Sequence, residues 1–200
     1  MNLLNMLLET DSMVKMVTKD AEQWQQSIQG GRLTMKQVKT INLQIFDTEN
    51  QLNSRDSRRY LQTREKRINY LFERLQQPLW TMNQILKTLT RIRDNTDRMH
   101  NRLALWMDDP NVAKHKIASN LRSPELLELL DFLSGRYSAE WEVKEVVVRD
   151  LEHINNAKEL DFFVEAWSIC RHSDGYEFQR LLGDFYDKIG RRNRFLMPAP

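Results

Sequence analysis

Two hundred residues, 40% hydrophobic and 29% charged, suffice for one domain, or one domain with a long arm, but not for a membrane-embedded chain. With 6 glycines and 5 prolines, and Gly135 the only glycine between Arg32 and Asp174, the turns of all-β and α/β folds and the glycine loops that cradle phosphates cannot be written. The net charge of +2 conceals two blocks: 12 Lys/Arg against 5 Asp/Glu from Arg55 to Met107, and 4 against 11 from Ser123 to Glu165, so two elements lying against each other are predicted.

The opening stretch, Met1 to Thr10, holds Leu3, Leu4, Leu7 and Leu8 with no basic segment ahead of them and does not read as a secretory signal. Ser12 to Gln29 reads as a helix with Met13, Met16, Val17, Trp24 and Ile28 on one face, ended by Gly30-Gly31. Thr34 is the expected N-cap of a second helix whose face is Val38, Ile41, Ile45 and Leu52. The polar stretch Asn53–Arg59 marks a break.

The longest element runs from about Tyr60 to Met107. Its seam is Leu75, Leu79, Met82, Leu86, Leu89, Ile92, Thr96, Met99, Leu103 and Trp106, with a phase shift at Leu86-Leu89-Ile92. Such a helix would be about 70 Å long at 1.5 Å per residue. Pro78 removes one backbone bond, so a kink or a break is predicted near Gln76. Asp108-Asp109-Pro110 stops the helix, and a polar connection follows to Arg122.

Ser123-Pro124-Glu125 is a helix start, with serine capping, proline in the first turn and glutamate at the positive end. Its face is Leu126, Leu130, Leu133, Tyr137, Trp141, Val148, Leu151 and Ile154. Asn156 with Glu159 resembles a capping box for a helix carrying Leu160, Phe163, Val164 and Trp167. His172 to Gly175 is a turn, and Tyr176–Ile189 a last helix presenting Phe178, Leu181, Leu182 and Phe185. The basic tail Arg191–Pro200 is expected to be disordered.

The fold class predicted is all-α: a helical bundle with a long, kinked, coiled-coil-like central helix and a C-terminal helix pair. Its segments are 1–54, 55–107, a connection 108–122, 123–190 and the tail 191–200. No run approaches about 18 apolar residues, so no membrane span is expected. The lone Cys170 fits a reducing compartment.

The four histidines, His100, His115, His153 and His172, have no metal-ligand spacing with one another or with Cys170. Cys170 with His172 reads as incidental, and Glu140, Glu142 and Glu145 read as a solvated face. No enzyme activity, metal or cofactor is expected. The basic block raises nucleic-acid binding as a lesser alternative. Of the five tryptophans, Trp80 and Trp106 on the long helix are the best partner anchors. The tail segment Arg194-Phe195-Leu196-Met197 fits the loose R-x-L-φ pattern by which cyclins recognise clients, giving Arg194 and Leu196 as cyclin-docking candidates. Ser123-Pro124 is also a minimal proline-directed phosphorylation site.

Tyr137, Glu140, Lys144, Val147, Leu151, His153, Leu160 and Trp167, in one gapless stretch, resemble the closing region of the cyclin-dependent kinase 2-interacting protein family. Asp20, Ala21, Trp24 and Ile28 resemble that family's amino-terminal element, and the heptad segment Leu71–Leu105 is similar in register. The resemblance covers about Asp20 to Trp167. Pro78, the turn at Asn155-Asn156 and the helix and tail after Gly175 depart from the pattern. What the resemblance implies is a non-enzymatic nuclear adaptor, associated with cyclin-dependent and replication-initiating kinases and with a complex of AAA-type ATPases acting on ribosome precursors and replication factors.

On this reading the chain docks by helix packing through Trp80, Leu86, Leu89, Ile92, Met99, Leu103 and Trp106 on the long helix and through Tyr137, His153 and Trp167 on the terminal pair. Its partners would be AAA-type ATPase subunits, a cyclin-dependent kinase or cyclin, and other helical subunits. The rivals are a structural coiled-coil subunit of a spindle or kinetochore-type assembly and an RNA- or ribosome-contacting helical protein.

Overall fold

A computed structural model describes residues 2–52 and 61–191. The expected break at Asn53–Arg59, the side chain of Leu52, and Arg194 and Leu196 with the rest of 192–200 lie outside the described residues. The chain is an all-α helical bundle of α1 (Leu3–Leu52), α2 (Leu61–Trp106), α3 (Pro110–Ala113), α4 (Ser123–Asp150), α5 (Ala157–Ser168) and α6 (Tyr176–Lys188), with a two-stranded hairpin, β1 (Lys116–Ala118) and β2 (Leu121–Arg122), before α4. It divides into two compact units. Unit 1 holds residues 2–26, 88–142 and 170–191; unit 2 holds 27–52, 61–87 and 143–169.

α1 corrects the sequence reading at Gly30-Gly31, where the helix does not end. Buried residues recur without a change of phase at Met13, Val17, Ala21, Trp24, Ile28, Met35, Val38, Ile41 and Ile45, and Gly31 occupies the stripe position between Ile28 and Met35. Two glycines cost a helix about 1 kcal/mol each relative to alanine, which the burial of those side chains exceeds. Thr34 is therefore not an N-cap. It lies inside α1, and its hydroxyl donates to the carbonyl oxygen of Gly30 at 3.0 Å. Thr10, Thr18 and Thr48 donate to the preceding turn in the same way, at 2.8, 2.8 and 2.7 Å, which satisfies their buried hydroxyls.

α2 likewise passes through Pro78 without a break. Leu71, Leu75, Leu79 and Met82 are buried on either side of it, and this packing holds the helix across the missing N–H. Asp109 caps α3, its carboxylate accepting the Asn111 N–H at 2.8 Å. The polar connection holds a hairpin that was not expected there, in which Lys116 pairs with Arg122 and Ala118 with Leu121, antiparallel. His115 fastens the hairpin to α1 in unit 1, with Nε2 2.8 Å from an Asp11 carboxylate oxygen.

The start of α4 falls at Ser123, but Ser123 does not cap through its side chain. Its hydroxyl is buried and has no partner among the described residues, so the residue offers no accessible phosphoacceptor either. Glu125 supplies the acceptor instead, taking the Arg122 N–H at 2.8 Å. α4 stops at Asp150 and Leu151–His153 form a single 3-10 turn. The capping box at α5 forms as read: Asn156 accepts the Glu159 N–H at 2.9 Å, and Glu159 accepts that of Asn155 at 3.1 Å. α6 buries Phe178, Leu182, Phe185 and also Tyr186, while Leu181 is only half-buried.

Candidate functional site

In unit 2, α5 is held by a small set of interlocked groups. Trp167 is fully buried and its Nε1 donates to the carbonyl oxygen of Ile28 at 3.2 Å. The ring rests on the bare backbone of Gly31: a Cβ there would lie 2.2 Å from Trp167 Cζ2. Lys144, also fully buried, donates from Nζ to the carbonyl oxygens of Ala166, Trp167 and Ile169 at 3.0, 2.9 and 3.2 Å. Those carbonyls close the C-terminal end of α5, where helical acceptors lack helical donors and a cation is favoured. The ammonium also lies 5.5 Å from the Trp167 ring centroid. Arg32 donates to the Ser168 carbonyl at 2.9 Å, and Lys39 pairs with Asp161 at 2.6 Å.

In unit 1, Tyr137 stacks on Trp24 with ring centroids 4.2 Å apart and stands 6.0 Å from Phe178. Asp20 accepts from Arg91 at 3.1 Å and from Asn95 at 2.6 Å. Glu140 accepts the His172 N–H at 2.9 Å and so fixes the turn before α6. Tyr186 donates to the Thr18 carbonyl at 3.3 Å. Burial pushes the phenols of Tyr137 and Tyr186 well above the ordinary tyrosine range.

The buried hydroxyl of Tyr137 has no hydrogen-bond partner among the described residues. Replacing it by phenylalanine removes an unsatisfied buried group, and Tyr137→Phe is expected to stabilise the fold by about 1 kcal/mol at pH 7. The effect grows in alkali. The folded pKa of Tyr137 is raised, so the unfolded chain releases its proton above about pH 10 while the folded chain keeps it. The stability tied to this group is complete below that pH and is lost as pH rises towards the folded value, at about 1.4 kcal/mol per pH unit. Urea unfolding of both proteins from pH 8 to 11.5 checks this: the difference must widen above pH 10.

The seam residues predicted to bind partners are largely covered by this chain. Leu89, Ile92 and Leu103 are fully buried, Met99 and Trp106 nearly so, and Leu86 is half-buried. Tyr137 and Trp167 are core residues as well, so none of these eight is offered as an open docking side chain. Trp80, 58% exposed, and His153, exposed, are the predicted contacts that remain accessible. Of the eight positions carrying the family resemblance from Tyr137 to Trp167, Tyr137, Glu140, Lys144, Val147, Leu151, Leu160 and Trp167 are buried and only His153 is exposed.

The basic block does not simply face the acidic one. His100 meets Asp131 at 3.5 Å, but Arg91 pairs with Asp20 and Arg102 with Glu9, both on α1. Arg93 lies 3.9 Å over the Trp141 ring, whose Nε1 donates to Thr90 at 2.8 Å.

Other exposed apolar side chains were not singled out by the sequence. Leu33, Tyr70, Phe72, Phe162 and Ile169, like Trp80, stand out from unit 2. Val143 and Val146, three apart on α4, belong to this set; the signal for them was a second apolar row beside the core row, which periodicity alone assigns to the core. Unit 1 holds a distinct feature, a cavity of about 220 Å³ walled by Leu121, Leu129, Phe132, Leu181 and Phe185 and rimmed by Glu125, Glu128, Asp184 and Lys188.

No protein-family model matches the chain, and no curated protein matches its sequence. No described helix is long and apolar enough to cross a membrane. Among the described residues no group of three His, Cys, Asp or Glu side chains is placed to hold a metal ion.

Proposed function

We propose that the chain is a non-enzymatic adaptor subunit of a larger nuclear assembly, similar in kind to the cyclin-dependent kinase 2-interacting proteins. The partners proposed are AAA-type ATPase subunits linked to ribosome maturation and genome maintenance, and cell-cycle or replication kinases. The observation that carries the reading is the exposed apolar set of unit 2, with Trp80 at 58% exposure and Phe162 at 66%. Large aromatic side chains held in water on rigid helices are the usual anchors of protein interfaces. The resemblance at Tyr137–Trp167 supports the same reading through the fold, since its residues fasten α4 to its neighbours within each unit. Burial of the seam residues favours this reading over a structural coiled-coil subunit of a spindle or kinetochore-type assembly.

The test uses the full chain, tagged, and purified from cells beside its Trp80→Ser and Phe162→Ser variants. ATPase and kinase subunits are expected with the parent chain and to fall at least five-fold with each variant. Both side chains are exposed, so unfolding should move by less than about 0.5 kcal/mol. Absence of any such ATPase or kinase from the parent preparation overturns the proposal.

A second reading rests on α2. Lys66, Arg67 and Arg74 are exposed on the helix that also exposes Tyr70 and Phe72, and Arg74 lies 5.7 Å over the Tyr70 ring. A basic, aromatic surface of this kind suits single-stranded RNA. Binding to an oligouridylate that weakens about ten-fold or more from low to moderate salt would favour it.

A further inference from the structure

The cavity in unit 1 has an apolar wall and an acidic rim, and the two halves of the rim differ. Glu125 is already engaged: Lys188 pairs with it at 2.7 Å and the Arg122 N–H donates to it. Those two contacts, Lys188 first, hold its carboxyl below the ordinary range. Glu128 and Asp184 are exposed and have no cationic partner among the described residues. Two carboxylates therefore flank Phe132 and Leu181, both only half-buried, while Lys188 on the same rim is engaged by Glu125.

The chain leaves α6 beside this cavity and turns there. Gly190 adopts φ +67°, a left-handed conformation that costs glycine little. The Arg191 N–H reaches back to the Tyr186 carbonyl at 2.9 Å, and the Gly190 N–H to that of Asp187 at 3.1 Å. This is a Schellman-type stop, which takes the chain off the helix axis instead of extending it. The cavity residues on α6, Leu181, Asp184, Phe185 and Lys188, lie within the last two turns, about 10 Å along the axis. Residues 192–200 can span up to about 30 Å when extended. Their sequence complements the cavity: Arg192 and Arg194 for the two carboxylates, Phe195, Leu196 and Met197 for the wall.

We propose that the cavity between α4 and α6 is the docking site of the chain's own segment 192–200, with Arg192 and Arg194 on Glu128 and Asp184 and with Phe195 and Leu196 against Leu129, Phe132 and Leu181. A docked tail withholds Arg194 and Leu196 from any external groove that would read them as a motif. The inference is independent of the adaptor reading, since it concerns contacts within one molecule.

The test places p-benzoylphenylalanine at position 195 of the full chain and maps the photoadducts by mass spectrometry. Adducts are expected within single chains, on residues 121–132 or 181–188. The Glu128→Lys/Asp184→Lys double variant should lower their yield at least five-fold, and adding Arg192→Glu/Arg194→Glu should restore it. The milder pair Glu128→Gln/Asp184→Asn, which leaves the exposed rim uncharged, should lower it at least two-fold with unchanged circular dichroism. Adducts that join two chains, adducts elsewhere, or a yield indifferent to both pairs would overturn the proposal.

Discussion

Gly31→Ala is expected to destabilise the protein by about 3 kcal/mol, and Gly30→Ala, one residue away, to stabilise it by about 0.5–1 kcal/mol. Both substitutions add a methyl group to the interior of α1, and both remove the same backbone freedom from the unfolded chain. They differ in what the methyl group meets. At Gly30 the nearest atom is Ile85 Cδ1 at 3.9 Å, an ordinary van der Waals contact. At Gly31 three atoms of the Trp167 ring lie at 2.2, 2.3 and 2.4 Å, and a ring cannot bend out of the way. The indole must withdraw, which breaks its hydrogen bond to Ile28 and leaves a gap where the largest buried side chain of α5 was seated. Removing a buried tryptophan costs about 3–5 kcal/mol, and a displaced one approaches that range. Urea unfolding of the two variants and of Gly31→Ala/Trp167→Ala completes the comparison. In the double variant the alanine at position 31 should cost little further, because the ring it collides with is gone. Two glycine variants shifting in the same direction would refute the seating of Trp167 on α1.

The same two glycines show where local reading stops. Paired glycines are the strongest local signal for a helix end, and they misled here because the phase of the buried stripe, Ile28-Gly31-Met35, carries more free energy than the punctuation. That phase was present in the sequence, and following it through Gly31 would have predicted both one long α1 and a neighbour too large for a Cβ. At Pro78 the reading offered a kink or a break, and the break does not form: the seam runs on through α2. Signals that act within one turn were legible: the Asn156–Glu159 box, the halt at Asp108-Asp109-Pro110, the start at Ser123. The hairpin at 116–122 was not, because strands of three and two residues hold no alternation to detect. The candidate site was least legible. Heptad spacing shows that Leu89, Ile92 and Leu103 are covered but not by what, since the covering surface belongs to helices distant in the sequence. Trp80 and Trp106 were singled out alike for their place on the long helix, yet Trp80, off the seam, is exposed and Trp106, on it, is buried. Phe162 was not singled out, because its neighbour Phe163 shared the apolar signal of α5 and drew attention to the buried face.

Lys144→Met is expected to cost about 3–4 kcal/mol, more than most losses of a lysine, because of where the ammonium sits. A surface lysine is worth about 0–1 kcal/mol to a partner in water. Lys144 is fully buried and serves three carbonyl oxygens at the C-terminal end of α5, so its removal takes the donor from all three, and that of Trp167 is buried. Methionine nearly fills the stem volume, which confines the loss to the polar end. Arg32 is the internal control: it donates at 2.9 Å to the carbonyl of Ser168, in the same turn, but from the surface. Arg32→Met should therefore cost under about 0.5 kcal/mol and lose even that in high salt, while the Lys144→Met deficit should barely respond to salt. Lys144→Arg is not a rescue, since a planar fork cannot reproduce three converging bonds in a closed space, and it should recover less than half of the loss. Hydrogen exchange locates the damage. The amides of α5 are expected to lose about 100-fold in protection in Lys144→Met, with those of α6 little changed, because the three carbonyls belong to the end of α5 alone. A loss spread evenly over all helices would mean that Lys144 supports the whole bundle and not the seating of α5. The resemblance at Lys144 and Trp167 then has a physical meaning: those residue types at that spacing fasten one helix end, that of α5, which carries the exposed Phe162.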